Sequence, residues 1–156
     1  MDPDAQVRET AKGLLRSAQQ LVSLGERVAH TVCFILPDGA VLETRPCIED
    51  EAGKRWAYAK LSEMGRQLQA TAAILIYDGV SSLLHPPGSL RTSDLLEEGE
   101  TECLVVCVKI PGRESDWSCV APFERRAGGV HFLPEQEFDF SVAPLLPDWY
   151  GAAGRA

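Results

Sequence analysis

Three polar residues in one stretch have side chains that could bind or transform a ligand: Asp78, His85 and Asp94. Asp78 directly follows the apolar run 71–77, and ligands often bind beyond the carboxyl ends of buried strands. The connection from 79 to 100 contains the other two, and long connections are often functional. These three residues are therefore the candidate polar groups of a small-molecule site. An Asp-Gly pair such as Asp78-Gly79 more often forms a turn.

No group of residues has the spacing of a metal centre. His85-Pro86 with Ser93 and Asp94 is similar to part of the His-x-His-Pro and Ser-x-x-Asp zinc motif of deubiquitinase-type metalloproteases. Leu83 occupies the first histidine position, however, and Asp94 follows too closely, so the three ligands that zinc needs are not supplied. Pro46-Cys47 likewise lacks the second cysteine and the His-x-Glu of zinc deaminases. We expect no metal and no cofactor.

The nucleophilic side chains also lack a catalytic setting. A serine or cysteine nucleophile needs a histidine oriented by a carboxylate, and the sequence has three histidines and no Gly-x-Ser-x-Gly turn. The five cysteines are odd in number and form no Cys-x-x-Cys, which is typical of reduced thiols. Cys103 and Cys107 share a strand face about 13 Å apart. Cys119, on the next strand, is expected in the core or opposite one of them as a thiol pair.

The charge balance narrows the classes of partner. The 156 residues include 15 basic and 23 acidic side chains, a net charge of −8. Nucleic acid phosphates and anionic membrane surfaces repel such a chain, so we expect neither as a partner. The sequence has no run of about 18 apolar residues that could span a bilayer. The N-terminus is acidic where a signal peptide is basic, so we expect a cytoplasmic protein.

The order of helices and strands follows from periodicity. Apolar residues at helical spacing predict a helix from Asp2-Pro3 to Gly25. Strands over 28–36 and 40–45 flank the turn Pro37-Asp38-Gly39 and predict a hairpin. A second amphipathic helix is predicted from 49–51 to about 69, followed by the strand 71–77, which has the unbroken apolar character of a strand covered on both faces.

The second half of the chain predicts a meander of strands over 103–110, 117–123 and 130–133. The sequence therefore predicts one α+β domain over residues 1–156, with a mixed, mainly antiparallel sheet of about six strands and two helices packed on it. This layout resembles that of small single-domain bacterial proteins of uncharacterised function. The resemblance is carried by no diagnostic motif and implies no activity.

Two functional hypotheses remain. The first is a non-enzymatic cytoplasmic protein-binding or regulatory domain, whose partner is another protein or a second copy in a homodimer. Its interface would lie in the apolar tail 135–156, which either packs back over the sheet or docks onto that partner through Phe138, Phe140, Trp149 and Tyr150. The alternative is a small-molecule-binding or enzymatic domain with its site at the 78–100 loop.

Overall fold

The structure is a computed structural model that describes residues 3–46, 50–82, 100–112 and 116–140. Within these ranges the chain forms two helices and a mainly antiparallel sheet, which confirms the predicted α+β fold. The elements in chain order are α1 (Pro3–Ser23), β1 (Thr31–Ile35), β2 (Val41–Thr44), α2 (Glu51–Gln67), β3 (Ala72–Ser82), β4 (Glu100–Lys109), β5 (Trp117–Arg126), β6 (Gly129–Phe132) and β7 (Gln136–Phe138).

The described strands form a single sheet in the order β2-β1-β3-β4-β5-β6, and all neighbouring pairs are antiparallel. β6 pairs with the second half of β5, and β7 pairs with its first half on the same edge. Helix α2 connects the edge strand β2 to the central strand β3, and its Tyr58 and Leu61 belong to the same core cluster as residues of β1 and β3. The hairpin β1–β2 is thereby joined to the meander β3–β6.

Helix α1 forms because its apolar residues recur at helical spacing and bury one stripe, which includes Leu15 and Val22. The helix ends at a glycine with a left-handed backbone, Gly25, at φ +85°. Its amide donates to the Val22 carbonyl and the amide of Glu26 donates to the Leu21 carbonyl, as in a Schellman motif. Among the described residues, no helix has both the length and the apolar character needed to cross a membrane.

The central strand β3 is buried on both faces because the two helices cover opposite sides of the sheet. Ile74 and Ile76 belong to the core cluster under α1, and Leu75 and Tyr77 belong to the cluster under α2. We call these two sides the α1 face and the α2 face. The unbroken apolar run in β3 follows from this arrangement, since neither face meets water.

One expectation from the sequence was wrong. The pair Asp78-Gly79 forms no turn: β3 continues to Ser82 and keeps its register with β4, with Asp78 opposite Leu104. The hydrogen bonds between β3 and β4 therefore outweigh the local preference of an Asp-Gly pair for a turn. Of the two environments expected for Cys119, the structure shows the core: it is buried opposite Val106 on the α1 face, whereas Cys103 and Cys107 lie on the α2 face.

Candidate functional site

Asp78, the first of the predicted binding residues, is an anchor between β3 and the segment that enters β1. Its carboxylate lies on the α1 face and is 8% exposed, whereas the side chain of Arg27 is 52% exposed. Arg27 Nε donates to Oδ2 at 2.9 Å and Nη2 donates to Oδ1 at 3.0 Å. The amide of Val28 also donates to Oδ2, at 3.0 Å. Asp78 thus holds three hydrogen bonds from its own chain, a role that the sequence analysis did not foresee.

A second buried carboxylate lies next to Asp78 on the same face. Glu102 is opposite Val80, two residues along β3 from Asp78, so the two acids are diagonal neighbours. Arg125 Nε donates to Glu102 Oε2 at 2.8 Å, and the Arg125 guanidinium also lies 5.4 Å from the centroid of the Phe123 ring. Each buried acid is therefore neutralised by a partly exposed arginine, as burial of a charge requires.

The other predicted binding residues, His85 and Asp94, lie outside the described residues. The structure therefore does not test whether they meet Asp78. Among the residues it describes, no three His, Cys, Asp or Glu side chains are grouped closely enough to hold a metal ion.

A polar cluster on the α2 face includes His30, to which the sequence analysis gave no role. The His30 ring stacks on Tyr77 with centroids 4.7 Å apart and planes 6° apart. Burial lowers the pKa of His30 below its ordinary value, with Lys54 acting in the same direction and Asp78 opposing it. Lys54 Nζ in turn lies 5.8 Å from the centroid of the Tyr58 ring. The neutral imidazole is the form that suits this partly covered, stacked position.

The buried cysteines are unsuited to nucleophilic chemistry. Burial raises the pKa of both Cys103 and Cys119 to about 12. The Sγ of Cys119 also approaches Glu135 Oε2 at 3.7 Å, a contact that further favours the protonated thiol. Because the thiolate is the reactive form, these thiols act as small core residues.

The surface feature with the clearest capacity to bind is a groove between α1 and the β1–β2 hairpin. It arises because α1 packs over β3, β4 and β6, so that neither of the two described helices covers the α1 face of the hairpin. The groove has a volume of about 370 Å³. Its floor includes Val28, Cys33 and Ile76, and Leu14 and Leu21 of α1 form one wall. We call this feature the hairpin groove.

The rim of the hairpin groove is charged and balanced. Glu26 and Arg27 lie at one side, and Glu43 and Arg45 lie on the hairpin side. Arg45 and Glu43 form an exposed ion pair, with Arg45 Nη2 3.0 Å from Glu43 Oε1. Two acids and two bases around an apolar floor give the groove polarity at its edge without a net charge.

Two exposed apolar side chains lie at the hairpin groove or beside it on the α1 face: Leu21, which lines the groove, and Val41, which is opposite Ile35 in the hairpin. Among the described residues six large hydrophobic side chains are exposed, and four of them lie in the last turns of α1, just after α1 or in β2. Their exposed fractions are 40% for Leu21, 77% for Leu24, 54% for Val41 and 40% for Leu42. The other two are Trp56 in α2 and Phe140, which follows β7. Leu24 does not line the groove and Leu42, opposite Phe34, lies on the α2 face, so the exposed apolar surface on the groove side comes from Leu21 and Val41.

The predicted interface residues of the tail have different environments. Phe138 lies in β7, is paired with Ser118 of β5 and packs against the core under α2. Phe140 is 45% exposed, and its carbonyl accepts a hydrogen bond of 2.7 Å from Ser118 Oγ. Trp149 and Tyr150 lie outside the described residues. The tail therefore packs back on its own sheet up to Phe140, and whether it docks onto a partner is untested.

The sequence contains a signal for the hairpin groove that its analysis did not use. Val41 and Leu42 are adjacent apolar residues in a short strand, so they must point to opposite faces and at least one needs cover.

Comparisons with protein-family models, with curated proteins and with solved structures found no match. Functional inference therefore rests on the geometry of this chain.

Proposed function

We propose that this protein is a non-enzymatic binding domain that holds an apolar segment of a protein partner in the hairpin groove. One observation carries the proposal: the groove has an apolar floor of Val28, Cys33 and Ile76, with Leu21, 40% exposed, on its wall, and Val41, 54% exposed, lies beside it on the same face. Burying such side chains against a partner gains roughly 25 cal/mol per Å² of apolar area removed from water.

The charged rim supports a protein as the partner. Rim charges contribute to orientation and partner choice more than to affinity. The rim of the groove has both negative and positive side chains, from Glu26, Glu43, Arg27 and Arg45. With a net charge of −8 the whole chain disfavours nucleic acid as the ligand. The four cysteines among the described residues are buried and form no disulfide, which suits a reducing compartment and supports a cytoplasmic location.

The binding chemistry expected at Asp78 has less support than the groove. Both carboxylate oxygens of Asp78 accept hydrogen bonds from Arg27 or Val28. The high pKa values of Cys103 and Cys119 favour neither thiol as a nucleophile. A binding role for the groove requires no rearrangement of these contacts.

Site-specific photo-crosslinking in the cells that contain the protein tests the proposal. A benzophenone amino acid is placed at Leu21 or Val41, beside the groove, or at Trp56, which is 66% exposed on α2 across the sheet. We expect a discrete protein adduct from Leu21 and Val41 and none from Trp56. Val41→Asp should remove the adduct formed from Leu21. Equal adducts from all three positions, or none from the two groove positions, would show that the groove is not a binding surface.

A further inference from the structure

We infer that a second copy of this chain pairs with the first, β2 antiparallel to β2, with the twofold axis at Thr44. The inference goes beyond the proposed function, because it concerns the outer edge of β2 and not the segment held in the hairpin groove. No described strand pairs with the outer edge of β2, which is the last strand of the sheet. An edge of this kind presents backbone donors and acceptors to another chain.

The hairpin geometry identifies which backbone groups point outward. The amide of Leu36 donates to the Ala40 carbonyl at 2.8 Å, so this pair is hydrogen-bonded across the hairpin. Hydrogen-bonded and non-hydrogen-bonded pairs alternate along an antiparallel ladder. Leu42 and Thr44 therefore direct their backbone groups to β1. The amides and carbonyls of the alternate residues, Val41 and Glu43, and of Arg45 after the strand, face away from the sheet.

The side chains of these outward residues favour one register. Glu43 is opposite Cys33 in the hairpin, so Glu43 and Arg45 both lie on the α1 face beside the groove. An axis at Thr44 places Glu43 of each copy opposite Arg45 of the other, which gives four alternating charges. It also gives a Thr44–Thr44 pair, and both kinds of cross-strand pair are favourable.

The neighbouring registers lack this match. An axis at Glu43 puts the two Glu43 carboxylates directly opposite each other, and opposed like charges are destabilising. An axis at Leu42 places Glu43 opposite Val41, so neither charge gains a partner of opposite sign. A single charge on an edge strand repels a second copy, whereas the Glu43–Arg45 pair is complementary to itself.

The size of the contact predicts a weak association. Pro46 follows Arg45 and limits the strand, so the pairing involves residues 43–45 of each copy. The two paired β2 strands, about 4.8 Å apart, would continue the sheet from one copy into the other beneath both hairpin grooves. A contact of this size belongs with small, transient interfaces. The dimer should therefore form reversibly with concentration and weaken in high salt, because exposed charges are screened.

Sedimentation equilibrium of the full chain, from about 1 μM to 1 mM protein, tests the inference with four variants. Glu43→Arg and Arg45→Glu each place like charges opposite each other and should weaken self-association at least about tenfold. An equimolar mixture of the two variants restores opposite charges and should dimerise. The double variant with both changes should also dimerise. Arg126→Glu is the matched control. Glu124 and Arg126 are two residues apart in sequence, as Glu43 and Arg45 are, and form an exposed ion pair with 2.7 Å between Arg126 Nη2 and Glu124 Oε2.

Three results would overturn the inference. The first is a wild-type chain that stays monomeric at every concentration. The second is a dimer that Arg45→Glu weakens no more than Arg126→Glu does. The third is a mixture of the two single variants that does not dimerise although circular dichroism shows that both are folded. These outcomes are separable from the proposed function. A monomer whose Leu21 and Val41 positions crosslink to another protein keeps the binding function and loses the self-pairing.

Discussion

Replacing Arg27 with methionine tests the role assigned to Asp78. Methionine retains much of the aliphatic stem but removes the guanidinium that donates to both oxygens of Asp78. The carboxylate, only 8% exposed, would keep the hydrogen bond from the amide of Val28. The variant therefore leaves a buried charge without the Arg27 guanidinium.

The expected loss follows from the burial of the two partners. Removing one partner of a buried ion pair costs about 3–5 kcal/mol. Because Arg27 is itself 52% exposed, water can reach part of the vacated space, which favours the lower end. We expect Arg27→Met to lower the free energy of unfolding by about 3 kcal/mol. At this chain length, that corresponds to a fall in Tm of roughly 6–12 °C.

Urea unfolding followed by circular dichroism measures this loss. Arg126→Met is the matched control, because Arg126 and Glu124 are both exposed, and such pairs contribute about 0.2–1 kcal/mol. In the Arg27→Met background, Asp78→Asn should recover part of the loss, since it removes the buried charge. The reasoning is refuted if Arg27→Met costs no more than Arg126→Met, or if the added Asn destabilises the single variant further.

Three further variants test individual contacts. Burial is the main cause of the lowered pKa of His30, so the folded state favours the neutral imidazole. The contribution of His30 to the free energy of unfolding is therefore present above the ordinary pKa of 6.5 and is lost as the pH falls through the lowered value. His30→Phe should keep the ring stacking and flatten the acid side of a stability–pH profile; an unchanged slope would contradict this. Asp50→Ala removes the α2 cap on the Gly53 amide (2.6 Å) and should cost about 1 kcal/mol in urea unfolding, whereas Asp50→Ser should recover most of it. Ser118→Ala leaves the Phe140 carbonyl without this donor and should cost about 1–2 kcal/mol, and a stability equal to wild type would show that water replaces the hydroxyl.

The helices, the hairpin and the two-sided burial of β3 were predictable because they depend on local periodicity and turn chemistry. The α1 stripe ends at Gly25 as its spacing indicates, and the hairpin turn has Gly39 at φ +88°. Both features are encoded within a few residues of where they occur. The end of β3 was not predictable in this way, because its continuation to Ser82 depends on pairing with β4, and the Asp-Gly pair taken alone favours a turn.

The site was harder to predict than the fold for the same physical reason. Asp78 was identified as a notable polar residue, but its partner Arg27 is 51 positions away in sequence. No local pattern links the two. The hairpin groove depends on where α1 lies across the sheet, which periodicity does not specify. Val41 and Leu42 indicate that the hairpin has apolar residues on both faces, but only the tertiary structure shows that neither described helix covers its α1 face.

The strand order divides the sheet into two units that can assemble separately. Within β1–β2 and within β3–β6, strands that are consecutive in the chain are neighbours, and β1–β3 is the seam that joins the units. Closing this seam requires ordering the intervening α2 segment, so it costs more loop-closure entropy than either local unit. Arg27 and Val28 precede β1 and Asp78 lies in β3, so their hydrogen bonds join the two units. In subglobal opening, cooperative units separate before the whole fold is lost. Such opening would begin with the loss of these hydrogen bonds and would separate the hairpin from the meander.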